Sequence, residues 1–96
     1  MLLNRPLNVD GAFWGSVYTF EKAGDVFPEH THTEADNHIT ILTHGGIRCT
    51  GHPRYEGTVL EAGPGGTIVN WFAGEPHGFV ALTDGTTIVN IRKARP

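Results

Sequence analysis

Glycine and proline punctuate this chain at short intervals, and that rhythm limits what it can fold into more than any other feature. Thirteen glycines and six prolines are spread over 96 residues. Between them lie brief segments rich in Val, Ile, Thr, Phe and Tyr, the pattern of many short strands joined by turns. No segment sustains a helical period, and no linker or internal repeat divides the sequence. The expectation is an all-β protein with one domain over residues 1–96.

The segments can be placed along the chain. Residues 1–12 read as an N-terminal arm or edge strand, with a turn signal at Asn8-Val9-Asp10-Gly11. Strands are predicted over Phe13–Glu21 with a break at Gly15, near Val26 running through Pro28 into His30 and His32, and over His38–Thr43. Further strands are predicted over Ile47–Thr50, Gly57–Leu60, Thr67–Phe72, His77–Leu82 and Thr86–Arg92. Gly45-Gly46, Gly63-Pro64-Gly65-Gly66 and Asp84-Gly85 supply turns. Eight or nine short strands of this kind favour an antiparallel sandwich or barrel.

Composition excludes several functions. A net charge of −3 and a pI near 6.0 leave no basic footprint for nucleic acid. No apolar run is long enough to span a membrane, and the first residues lack the sustained apolar stretch of a signal peptide. One cysteine, Cys49, allows no internal disulfide and suits a reducing compartment, so a cytoplasmic location is expected. So short a chain buries only about two-thirds of its unfolded surface, which makes a metal or a partner subunit a plausible source of stability.

The histidines carry the chemistry. His30 and His32 are two apart, the spacing that puts two side chains on one face of a strand. His38 begins the next predicted strand, and His77 begins a distant one. Imidazoles gathered in this way point to a bound transition metal, because a neutral ring nitrogen is a good ligand for such ions. His44 and His52 are assigned to the surface or to hydrogen bonds. Trp14, Trp71 and the phenylalanines are assigned to the core or a subunit interface. Asn70 and Asn90 stand at mid-strand, where asparagine is depleted, and either an inward or an edge position explains them.

Two stretches then resemble a known family. The first runs Gly24, five residues, His30-Thr31-His32, five residues, His38, six residues, Gly45. It is similar to the first cupin motif, G-x5-H-x-H-x3-4-E-x6-G. The second, Gly66, five residues, Phe72-Ala73-Gly74, two residues, His77, resembles the second motif, G-x5-P-x-G-x2-H-x3-N. Phe72 and Ala81 replace the motif's proline and asparagine. His38 replaces its glutamate, one residue late. The resemblance implies a double-stranded β-helix barrel of the jelly-roll type, with His30, His32 and His77 as metal ligands and His38 in the fourth ligand's place.

By that resemblance the chain is expected to hold a divalent transition metal (Fe, Mn, Ni, Zn or Cu) and to act as an enzyme of dioxygenase, isomerase or lyase type. Its substrate is expected to be a small oxygen-bearing molecule. A non-catalytic module that binds a small ligand or a metal is the alternative, and a homodimer is expected in either case. Glu34 or Asp36 rivals His38 as the fourth ligand. No catalytic residue is assigned; a base is sought among Glu29, Glu34, Asp36, Glu75, Tyr18 and Tyr55.

Overall fold

The computed structural model describes residues 1–7, 13–30, 38–71 and 76–93. The described residues form nine strands: β1 (Leu2–Pro6), β2 (Phe13–Phe20), β3 (Val26–His30), β4 (His38–His44), β5 (Gly46–Thr50), β6 (Val59–Glu61), β7 (Thr67–Trp71), β8 (His77–Ala81) and β9 (Thr86–Lys93). They form a five-stranded sheet ordered β1-β2-β9-β4-β7 and a four-stranded sheet ordered β3-β8-β5-β6, with every pair antiparallel. No helix of the described residues is long and apolar enough to cross a membrane.

Period-two alternation explains how the sheets face each other. Along β4, Thr40 and Leu42 are fully buried while Ile39 is exposed. Along β8, His77, Phe79 and Ala81 are buried together. Successive side chains of a strand take opposite faces, so each sheet turns one apolar set inward. Phe20, Leu42 and Ile88 from the larger sheet meet Phe27, Ile47, Cys49, Phe79 and Ala81 from the smaller one in a single core. Tyr18 packs edge-on against Phe27 within it, ring centroids 4.7 Å apart.

The outer face of the larger sheet is apolar too. Register aligns Val17, Val89, Ile41 and Ile68 in a row across four strands, and Ile91 and Ile39 lie beside them. Ile68 is 68% exposed.

Two expectations need correction, and a third is decided. Gly15 does not break β2; it pairs with Ile91 in the ladder, and its missing side chain leaves room for Leu7, whose Cδ1 would stand 3.2 Å from a Cβ there. Of the two readings of the first residues, the edge strand is the one found, since β1 lies at the edge of the larger sheet and pairs with β2, while residues 8–12 lie outside the described residues. The strand expected over Gly57–Leu60 begins only at Val59. Gly57 takes φ +77° and donates its N–H to Cys49 O at 2.9 Å, which makes it a turn residue.

The ladder between β3 and β8 carries one irregularity with consequences for the site. Val26 and Phe27 pair with Val80 and Phe79, but the next pair is His30 with His77. Three steps on β3 thus match two on β8, which is a β-bulge. Pro28, which has no ladder donor to offer, sits inside it.

Two outcomes follow. Gly45 has φ +79°, and a Cβ there would collide with the hydroxyls of Thr86 and Thr83, whereas Gly85 at φ +76° has open space around it. In chemical denaturation Gly45→Ala is expected to lose about 2 kcal/mol or more, and Gly85→Ala only about 1 kcal/mol. Cys49 is fully buried, and burial pushes its thiol up to about 11, with the charge of Glu56 adding to the rise. Native protein at pH 8 should therefore resist a thiol-specific disulfide reagent, and label stoichiometrically once unfolded.

Candidate functional site

Three strand ends carry predicted ligands. β3 ends at His30 and β8 begins at His77, and the bulge makes these two residues direct partners across the ladder. Antiparallel partners stand about 4.5–5.5 Å apart at Cα, so the pairing joins two residues distant in sequence. The His77 ring is 1% exposed and lies 6.1 Å from the ring of Phe79. The chain leaves His30 through residues 31–37 and re-enters as β4 at His38, which is flanked in register by Trp71 of β7 and Arg92 of β9.

Of the four predicted ligands, then, His30 and His77 are ladder partners and His38 opens the strand that follows them. His32 lies outside the described residues, as do Glu34, Asp36 and Glu75. Among the described residues no group of three or more His, Cys, Asp or Glu side chains is placed to hold a metal ion. His77 is the predicted ligand whose side chain is described, and its burial beside a second histidine position suits a nitrogen donor set.

The interior next to these positions is polar. Thr40, two residues along β4 from His38, is fully buried and pairs in register with Asn90 of β9. Its hydroxyl donates to Asn90 Oδ1 at 2.7 Å. A hydroxyl buried among apolar side chains costs stability unless it is hydrogen-bonded, and Asn90 answers that demand. One step further in, Leu42 and Ile88 replace polar contacts with hydrocarbon. Asn70, by contrast, is opposite Ile39 on the outer, exposed face.

The base candidates separate clearly. Glu29 is exposed, and its carboxyl lies against Gly51, where a Cβ would stand 2.7 Å from Oε2. Tyr18 is committed to the core through Phe27. Tyr55 is half-buried in the β5–β6 connection. His44 is exposed, with Nδ1 3.1 Å from the Thr43 hydroxyl, as expected of a surface histidine. His52 takes the hydrogen-bonded alternative, since it is 1% exposed and accepts the Arg54 N–H on Nδ1 at 3.0 Å. Sequence reasoning passed over Arg54 altogether, because the cavity it borders is formed by strand edges that only the fold brings together.

No family model matches the chain, and no curated protein matches it in sequence. Solved structures do match. KdgF from Halomonas sp. aligns at 17% identity over 99% of this chain and 80% of its own, with a TM-score of 0.80. An RmlC-like cupin protein from Desulfovibrio desulfuricans aligns at 24% identity over 95% of this chain and 81% of its own, with a TM-score of 0.72. A cupin superfamily protein from Desulfitobacterium hafniense aligns at 13% identity over 99% and 79%, with a TM-score of 0.74. At these identities the likeness is one of backbone path and strand order. The chain has the double-stranded β-helix fold of the cupins.

Proposed function

We propose that this chain is a metal-dependent cupin-type enzyme, acting on a small oxygen-bearing molecule at a divalent transition metal held by His30, His32, His38 and His77. The observation that carries the reading is the pairing of His30 with the buried His77 across the bulged ladder, with His38 opening the strand that follows β3 in the chain. Four neutral imidazoles leave the charge of a divalent ion intact, and when bound the metal supplies Lewis acidity toward a substrate oxygen.

The rest of the work belongs to the chain's own residues. Because the Thr40 hydroxyl donates to Asn90 Oδ1, the carbonyl end of that amide is held and its N–H2 end is the donor available to a ligand oxygen. The apolar layer of Leu42, Ile88 and Phe20 closes the interior beneath and keeps water from passing through it. Such a floor strengthens polar contacts made above it.

Elemental analysis of protein purified without a nickel column should find about one equivalent of metal per chain. His77→Ala and His30→Ala should lose it, and stripping the wild type should lower its melting temperature by several degrees. His38→Ala should lose the metal and His38→Glu should keep it. Unchanged metal content in His38→Ala would transfer the fourth position to Glu34 or Asp36. Tight metal binding without turnover of small acids, diketones, thiols or sugar derivatives, in air or without it, would leave a binding module instead of an enzyme.

A homodimer formed through the outer face of the larger sheet accompanies this reading. The Val17, Val89, Ile41 and Ile68 row offers a second copy a flat apolar surface of the kind that marks association sites. Light scattering at micromolar concentration should give twice the chain mass, and Ile68→Lys should shift it toward the monomer. A monomeric wild type sinks the dimer.

A further inference from the structure

The inner face of the larger sheet changes character along its strands. Register aligns Tyr18, Ile88 and Leu42 in one row across β2, β9 and β4; Ile88 and Leu42 belong to the core and Tyr18 packs against it. Two residues along each strand, the next inward row is Ser16, Asn90 and Thr40, bounded by Pro6 of β1 and Val69 of β7. Asparagine is depleted within strands, and here it stands between two hydroxyl residues. Three adjacent polar side chains on an inward face cost stability that hydrocarbon would not.

The row divides into a hidden part and an accessible one. Thr40 is fully buried, whereas Ser16 and Asn90 are half-buried. The hidden hydroxyl donates to Asn90 Oδ1 at 2.7 Å, which engages the acceptor end of the amide and leaves its N–H2 end to donate. Among the described residues neither that N–H2 group nor the Ser16 hydroxyl has a hydrogen-bond partner. Neighbouring strands lie about 4.8 Å apart, so the two donors stand side by side, one from β2 and one from β9. No residue of the row is acidic. The amide is oriented before any ligand arrives, which spares a ligand the cost of ordering it.

We propose that Ser16 and Asn90 receive the carboxylate of a small organic acid, one oxygen on the serine O–H and the other on the amide N–H2. Thr40 is then a positioning residue, which holds the amide in the donating orientation. The proposal rests on the reading of the chain as a metal-dependent enzyme and names the class of its substrate. His38 lies two residues beyond Thr40 on β4, about 7 Å along the strand, so an acid of a few carbon atoms seated on the pair extends as far as that position. Hydrogen bonds to a carboxylate are charge-assisted and roughly twice as strong as those to a neutral oxygen. A substrate hydroxyl gains less at the same point, because Thr40 already engages the amide oxygen that would accept its proton. The packed row of Ile88 and Leu42 below keeps the base of the site dry, which strengthens both bonds.

The test follows the Asn90 side-chain N–H2 signals in proton–nitrogen correlation spectra, assigned with Asn90→Asp. Butyrate and its neutral analogue n-butanol are titrated into zinc-loaded and metal-free protein. Butyrate should move the Asn90 signals saturably in both forms, since neither donor belongs to the histidine set, and about tenfold more tightly than the alcohol. Ser16→Ala should weaken butyrate about fivefold and Thr40→Val about tenfold, and Thr40→Ser should restore wild-type binding. Melting curves check that the variants fold; Ser16→Ala, at a half-buried position, carries the test if Thr40→Val does not. Asn90 signals that stay unmoved or move only with zinc bound overturn the carboxylate site. So do equal affinities for acid and alcohol, unchanged butyrate binding in Ser16→Ala, and failure to saturate at tens of millimolar. A wild type that takes up no divalent metal defeats the enzyme reading by itself, and the metal-free titration still decides this one.

Discussion

Strand β8 is paired on both sides, with β3 on one edge and β5 on the other, and the candidate site depends on that double pairing. It sets His77 against His30 through one ladder and Gly78 against Thr50 through the next. Gly78 makes the close approach possible: a Cβ there would meet the Thr50 hydroxyl at 2.8 Å and the Glu29 backbone at 2.9 Å. The His30–His77 pair and the turn carrying Arg54 are therefore attached to strands of one small sheet. Any change that slips β8 by one residue would turn its buried set outward and disturb both.

The barrel interior is graded from one end to the other. In the smaller sheet the inward layer includes His77, and in the larger one it includes the Thr40–Asn90 hydrogen bond. Deeper in, Leu42, Ile88, Ile47 and Phe20 are wholly buried hydrocarbon. The polar groups are few and mutually bonded, so they specify an end of the barrel without exposing the core to water.

Much of this was legible in advance, and the reason is physical. The glycines that frame the two motif-like stretches, Gly24, Gly45 and Gly66, all have positive φ, at 90°, 79° and 89°. Their spacing therefore measured the lengths of chain between obligatory turns, which is why it reported the fold. Strand interiors were readable from β-branched and aromatic runs. Legibility failed where tertiary contacts decided the outcome. Gly57 and Thr58 look like the start of a strand but are drawn into a turn by bonds to Cys49 and Tyr55. His52 looks like any polar loop residue, and only the folded turn reveals that its ring is the post on which Arg54 is mounted. The cavity that Arg54 borders has no sequence signature, because its walls come from two strands, β6 and β7, that belong to different sheets.

The bulge in β3 gives the position opposite His77 an unusual kind of inheritance. Phe27 faces Phe79, and a regular ladder would next bring Pro28 to Gly78 and Glu29 to His77; the extra residue brings His30 there instead. Imidazole and carboxylate are adjacent in the chain, and a one-residue insertion or deletion is enough to exchange them opposite His77. Lineages sharing this backbone thus have a route to a different donor set that requires no substitution at the site at all. Alignments that score identity column by column would register such an event as a gap beside a conserved histidine and miss the change in chemistry it brings about.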